Sequence, residues 1–435
     1  MSKNLFSAFQ PVSKEAWKNK IIKDLKGKDY NESLQWHSEE GVLVEPIYHS
    51  EDLEKLIEDY NNTLLNLPSK PNNNWFVLEK VKVDDAENAN QIALNLLNEG
   101  AEAIEFDCQE KTITADLVDQ LTKGILVEVA PISFSNYKGS ISFNASKHLS
   151  FKNDVISQQL ATNQKVDLSQ WQTSLAKSEI ASVYIDGALY QNAGAKMVEQ
   201  LAFVLAIANE YFNQLSDKEV NKIKNLQIKL AVGSNFFFEM AKLRAIRKLI
   251  KVLVNQYAID FESIQIEATS TGINKSTLEV YNNMLRNTSE CMSAIIGGAD
   301  VIHLAPHDSL TDQSEKGRRW ARNISHILRN ESHFDKVIDP ANGSYYVEEL
   351  TDELADKAWQ LFKEIEAEGG FLAAWEKGTI QDKITANREE QIEAFKKGKK
   401  VILGVNKFAD ASLEIEEINK LASALAPLRL SAFFE

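Results

Sequence analysis

Few residues in this chain have types and spacings suited to chemistry. His303-x3-His307-Asp308 sets two imidazoles and a carboxylate close together. A metal centre needs three or four converging ligands. This pair bridges a strand end and a loop, so it lacks the one-face geometry of a helical i,i+4 pair, and a hydrogen-bonded pocket or loop histidine is the plainer reading. Asp107 and Glu128 are expected on adjacent strands, where paired carboxylates could do acid–base work, although caps and salt bridges are the commoner fate of such groups. Cys108 has no base near it in sequence and reads as a buried, inert thiol. Ser234-Asn235 suits the cap of a following helix.

Short β-rich runs must position these groups. They are 75–81, 103–108, 125–130, 140–145, 182–187, 228–233, 264–270 and 300–306, and most are followed by helical stretches. The repeated strand–helix order signals a parallel sheet. Phe236, Met240, Leu243, Ile246, Ile250 and Leu253 share one helix face, as do Met197, Leu201, Val204, Ala208 and Tyr211. Eight such units predict an α/β fold, a (β/α)8 TIM barrel, whose chemistry sits at the C-terminal strand ends. An open doubly wound sheet is the alternative, but neither GxGxxG nor GxxxxGK[ST] occurs. The strand ends then present Asp107, Cys108, Glu128, Ala130, Asn144, Asp186 to Leu189, Ser234, Asn235, Glu267, Thr269, Ser270, His303, His307 and Asp308. Residues 1–70 read as an N-terminal arm and linker, with helices from Lys14 to Leu25 and from Ser50 to about Leu65. Residues 71–330 read as the barrel, and 331–435 as a helical extension with a helix over 347–367 closed by Gly369-Gly370.

Composition narrows the function. The 435 residues carry 48 Lys+Arg against 63 Asp+Glu, a net charge of −15, which argues against a nucleic-acid partner. No apolar run approaches the ~20 residues of a membrane span. Two cysteines and an N-terminus without an apolar signal core suggest a cytoplasmic protein. These features name no substrate.

Longer segments do carry a resemblance. FQPVSKEAWKNKIIKDLKGKDYNESLQW near the start, GSNFFFEMAKLRAIRKL at 233–249, VYNNMLRNT at 280–288, RRWARNISHILRNES at 318–332, VIDPANGSYYVEELTDELADKAWQLFKEIEAEGG at 337–370 and LGVNKF at 403–408 resemble, in order, the barrel subunits of methylmalonyl-CoA mutase. The resemblance covers nearly the whole chain. It implies a (β/α)8 barrel and an arm that wraps a partner barrel. It implies a radical isomerisation between (R)-methylmalonyl-CoA and succinyl-CoA, with adenosylcobalamin as radical source and the acyl-CoA threaded along the barrel axis.

The same resemblance marks departures. The family's cobalamin-binding domain, with its DxHxxG motif, has no counterpart here, so no cofactor is expected on this chain and adenosylcobalamin is expected on a partner. GALYQNAGA at 187–195 stands where active subunits carry GYHMQEAGA. Ala188 and Leu189 thus replace the Tyr-His pair at the reacting carbon, beside Tyr190 and Gln191. NNWFVLEKVKV at 73–83 keeps Trp75 but puts Leu78 in place of an arginine. QIEATSTGIN at 265–274 puts Gln265 and Glu267 in place of arginine and histidine, so partners for phosphate and carboxylate are lost and a repelling charge is added. With Asn235, Thr269 and the family's retained His303, these residues form a degenerate pocket, with no catalytic and no metal-binding residue. The expectation is a non-catalytic small subunit that pairs with, and stabilises, a large catalytic subunit, or forms a homodimer in its absence. The alternatives are the catalytic barrel of a split acyl-CoA mutase with cobalamin on a separate chain, and an acyl-CoA-binding regulatory barrel.

Overall fold

A computed structural model describes residues 11–53, 72–139 and 148–434, apart from 179, 258, 312 and 410–422. Its centre is an eight-stranded, all-parallel sheet curled into a nearly closed barrel. The strands are β1 (Phe76–Lys82), β2 (Ala103–Asp107), β3 (Ile132–Ser135), β4 (Leu149–Lys152), β5 (Ala181–Asp186), β6 (Ile223–Val232), β7 (Ser263–Ser270) and β8 (Val301–His303). The hydrogen-bonded order is β4-β3-β2-β1-β8-β7-β6-β5, with helices outside. The TIM-barrel expectation therefore holds.

One strand assignment does not. Residues 125–130 form a turned segment instead of a strand, with Leu126 and Val129 each 71% exposed. The third strand lies beyond Pro131, whose carbonyl accepts the Ile104 amide at 3.1 Å. The apolar run looked like a strand, while the real one, ISFS, alternates serines with apolar residues and gives a weak signal. The 140–145 assignment, and Asn144 with it, lies outside the described residues, and the fourth strand is β4 at Leu149–Lys152.

β4 and β5 lie side by side without a ladder. Asp154 closes this seam. Its carboxylate accepts the Asp186 amide at the end of β5 (3.0 Å), the Ser157 amide (3.1 Å) and the Tyr211 hydroxyl (3.0 Å). A side chain thus replaces the strand-to-strand bonds that would seal the barrel.

Outside the wall, Phe106, Phe134 and Phe151 stack in sequence at 5.8 and 5.4 Å over β2–β4. The larger core surrounds β5–β8. There the Met197–Asn213 helix is buried on nearly every side, because the Tyr345–Ala367 helix covers the face that the barrel does not. The Phe236–Asn255 helix packs beside it and is clipped to the extension by Arg244, which pairs with Asp339 and, at 2.6 Å, with Glu348. The motif at 337–348 therefore works as a fastening.

The arm begins with the Lys14–Asp24 helix, capped by Ser13, close to the expected span. At Ser50 only a short 3-10 turn, Ser50–Leu53, is described, and the rest of the expected second helix lies outside the described residues. Between them a hairpin pairs Trp36–His37 with Leu43–Val44. It sits on this chain's own barrel: Trp36 meets Phe238 edge-on at 5.6 Å, and Glu40 accepts the Met197 and Val198 amides at 3.0 Å each. Among the described residues no helix is long and apolar enough to cross a membrane.

Candidate functional site

Alternation along the strands decides which side chains face the barrel axis. The inward set includes Leu78 and Lys80 on β1, Glu105 on β2, Ser135 on β3, Lys152 on β4, Tyr184 and Asp186 on β5, Lys229 on β6, Gln265, Glu267 and Thr269 on β7, and His303 on β8. Barrels of this type usually fill the axis with branched apolar layers. Here charges fill it. The Lys152 ammonium reaches across from β4 to Glu105 on β2 (2.6 Å) and to Glu267 on β7 (2.5 Å). Lys80 and the Ser135 hydroxyl each lie 2.9 Å from the other Glu105 oxygen, and Lys229 pairs with Asp186 at 2.8 Å. Three cations thus meet three carboxylates, and Lys152, Glu105 and Glu267 are all buried.

The electrostatics follow. Burial alone would raise the Glu105 carboxyl, but Lys152, Lys80 and Lys229 outweigh it and hold it well below the usual range. Glu267 is lowered by the same balance of burial against lysines, and Lys152 is raised because its two carboxylates overcome burial. Burial, then Lys80, pushes the His303 imidazole down to about 4. It is therefore neutral at pH 7, with Nδ1 3.1 Å from the Leu78 carbonyl oxygen, the geometry of a donated N–H. The axis is a self-neutralised ionic plug.

At the end of β5 the chain turns into a short helix, Ala188–Asn192. Gly187 permits this turn: a Cβ there would lie 2.5 Å from a Val204 methyl carbon. Ala188 is buried, and Leu189 packs against the main core. Tyr190 turns outward, with its hydroxyl 2.9 Å from Ser157 Oγ and its ring edge-on to Phe203 and Phe371 at 5.6 and 5.7 Å. No side chain of this triplet offers a proton donor towards the axis.

Past β6 and β7 a cavity of about 530 Å³ opens, lined by Gln191, Asn235, Glu239 and Asn274 among others and bordered by Trp36 and Glu40 of the hairpin. Beneath it lies a fully buried pair, Glu239–Lys242 at 2.5 Å, and Lys242 also donates to Gln191 Oε1 (2.9 Å) and the Ala231 carbonyl. Burial pushes the Glu40 carboxyl up to about 7 against its two amide bonds.

The residues picked from sequence are therefore dispersed. Leu78, Gln265, Glu267, Thr269 and His303 face the axis; Ala188 and Leu189 sit in the short helix after β5, and Tyr190 turns away from the axis; Gln191 and Asn235 line the side cavity. Trp75 lies at the opposite, N-terminal end, before β1. Glu128 is exposed in the 125–130 turn, so its pairing with Asp107 on adjacent strands fails. Asn235 occupies the position before the Phe236–Asn255 helix but makes no side-chain cap bond. Cys108 is buried, its thiol pushed up to about 12 by burial and Asp107. His307 belongs to a three-ring cluster, stacked on Tyr281 (5.3 Å) and tilted against Trp320 (5.2 Å). No group of three or more His, Cys, Asp or Glu among the described residues is arranged to hold a metal. Lys80, Glu105, Lys152 and Lys229 escaped the sequence reading, although charges recurring at inward positions of otherwise apolar strands were the available sign.

Known proteins agree with this architecture. The family model described as methylmalonyl-CoA mutase matches residues 124–426. The methylmalonyl-CoA mutase small subunit of Porphyromonas gingivalis is 32% identical, over 93% of this chain and 71% of that protein. The chain belongs to the methylmalonyl-CoA mutase family. The Streptomyces virginiae small subunit is 28% identical over 93% of this chain and 72% of its own length. The large subunit from the same organism is 26% identical over 91% of this chain and 62% of its length. Mutase relatives thus carry both subunit names.

Adenosylcobalamin, the cofactor that the family resemblance implies, can be tested against this chain's residues. They do not fit the acyl-CoA rearrangement that the cofactor would serve. Leu189, where the resemblance places the histidine at the reacting carbon, is half-buried against the core and its side chain offers no donor, and Lys152 and its carboxylates occupy the axis.

Proposed function

We propose that this mutase-family chain is the non-catalytic small subunit of a heterodimeric methylmalonyl-CoA mutase, and that it pairs with and stabilises a large catalytic subunit, which holds the adenosylcobalamin. The observation that carries this reading is the ionic plug: Lys152 spans the barrel from β4 to Glu105 and Glu267 and takes the path an acyl-CoA would need. Ala188 and Leu189 at the end of β5 support it independently, since a migrating thioester carbonyl requires a hydrogen-bond donor that neither supplies. Two related barrels can keep a shared interface while one of them loses its site.

The test is direct. Purified chain, supplied with adenosylcobalamin and methylmalonyl-CoA, is expected to form no succinyl-CoA. Co-expressed with a large subunit, it is expected to co-purify at a one-to-one ratio. Calorimetry with acyl-CoA esters is expected to be silent. Turnover by this chain alone would refute the reading, and saturable acyl-CoA binding would replace it with a regulatory barrel.

A further inference from the structure

The side cavity of about 530 Å³ past β6 and β7 takes no part in the ionic plug. It opens at the C-terminal strand ends, the face on which barrels of this fold place their ligands. Its size falls within the range of about 300–1,000 Å³ usual for small-molecule pockets. The arm's hairpin, the start of the Met197–Asn213 helix and the 399–403 loop of the extension close it in. Ile273, Ile402 and Leu430 are buried and give an apolar wall, which the half-exposed Trp36, Val401 and Leu403 continue outward.

The carboxylates of this lining are all engaged. Glu39 holds Lys400 at 2.8 Å, Glu40 accepts the Met197 and Val198 amides, and Glu239 takes Lys242 at 2.5 Å and the Gly233 amide at 2.7 Å. Lys196 is likewise paired, with Glu390 at 2.8 Å. Lys399 is different. It is exposed at the mouth and makes no ion pair among the described residues, and Glu393, whose carboxylate feels its charge, is taken by Lys397. One positive charge is therefore left uncancelled, on a chain whose net charge is −15. Hydrogen-bond donors are left over as well. Gln191 is only 7% exposed; its oxygen takes Lys242 and one N–H reaches Glu239 at 3.4 Å. A carboxamide nitrogen carries two N–H groups, so the second has no acceptor among the described residues. Buried N–H groups are nearly always paired, and this one borders an open cavity. The Asn235 carboxamide, in the same lining, makes no side-chain cap bond.

We propose that this cavity binds an amphiphilic monoanion, an apolar ring or short chain bearing one carboxylate or sulfonate, whose oxygens accept from the spare Gln191 and Asn235 donors and whose charge is balanced by Lys399. The site is independent of the subunit role, since it shares no residue with the plug and its test involves neither turnover nor an acyl-CoA ester.

Anilinonaphthalene sulfonate is the probe, and phenylnaphthylamine, the same ring body without the sulfonate, is its control. Titrated into the full chain, the sulfonate is expected to bind saturably with a blue shift. Lys399→Glu, in an exposed turn, is expected to weaken it by about tenfold, the scale of losing one exposed ion pair and adding one repulsion, and to leave the control within about twofold. Asn235→Ala removes a donor that caps nothing, and is expected to weaken the sulfonate by about fivefold, the scale of one hydrogen bond, with the control again within about twofold. Ser234→Trp, at an exposed position of the lining, fills the mouth and is expected to weaken both probes. Circular dichroism checks that each variant folds. Non-saturable sulfonate binding, effects of Lys399→Glu or Asn235→Ala that are equal for the two probes, or sulfonate affinity unchanged in Ser234→Trp overturns the proposal. Should the two strand-end variants fail to fold, Lys399→Glu decides by the same criterion.

Discussion

The ammonium of Lys152 is the residue on which the barrel axis turns. Removing one member of a buried ion pair costs about 3–5 kcal/mol, because its partner is left charged and dry. Lys152→Met is expected to lose stability on that scale, since Glu267 keeps no direct partner while Glu105 retains Lys80 and Ser135. The double variant Lys152→Met/Glu267→Leu is expected to recover a large part of the loss, as measured by urea unfolding; additive losses would show the pair uncoupled. Two other residues give opposing pH signatures. His303 is depressed from its ordinary 6.5 to about 4, so only the unfolded chain takes up its proton between these values, and stability falls as pH drops from 6.5 to 4. Glu40 is raised from 4.5 to about 7, so the folded chain holds its proton longer, and stability falls as pH rises from 4.5 to 7. Relative to the parent, His303→Gln is therefore expected to lose the first slope and Glu40→Gln the second. Unfolding midpoints between pH 4 and 7 check both signs, and parallel profiles would contradict them.

Among the elements, the fastening between the Phe236–Asn255 helix and the extension makes the clearest prediction. Arg244 is nearly buried and serves both Asp339 and Glu348, so Arg244→Ala is expected to cost about 3–5 kcal/mol, and Asp339→Asn less, because Asp339 is the more exposed partner. Thermal melts of the two variants measure the difference; equal losses would rule out the shared fork. Much of this level was legible beforehand. The helical stripes at 197–211 and 236–253 were plain, because their apolar residues recur at helical spacing and each helix needs a buried face. What escaped was polar. β3 and β4 carry serines and a lysine inward, so they lacked the apolar signature of a buried strand, whereas Ile125 to Val129 had that signature and lies in a turn. The candidate site was less legible still. That Tyr190 turns outward to Ser157 instead of facing the axis depends on the short helix after Gly187, which no local spacing announced.

For the molecule as a whole, eight parallel strands hold together with one seam, between β4 and β5, closed by the Asp154 carboxylate. The Asp186 amide is therefore the place where the cylinder should first admit solvent. Hydrogen exchange there is expected to accelerate by at least about tenfold in Asp154→Ala, while amides of the β6–β7 ladder keep their protection. The plug along the axis has a longer reach. Its charges come from β1, β2, β4, β5, β6 and β7, and each balances a neighbour. Placing tyrosine and histidine at 188 and 189 would not clear the axis, and withdrawing Lys152 strands Glu267. On the proposed non-catalytic reading, clearing the axis for a substrate would mean changing several strands together, since the charges are shared among six of them.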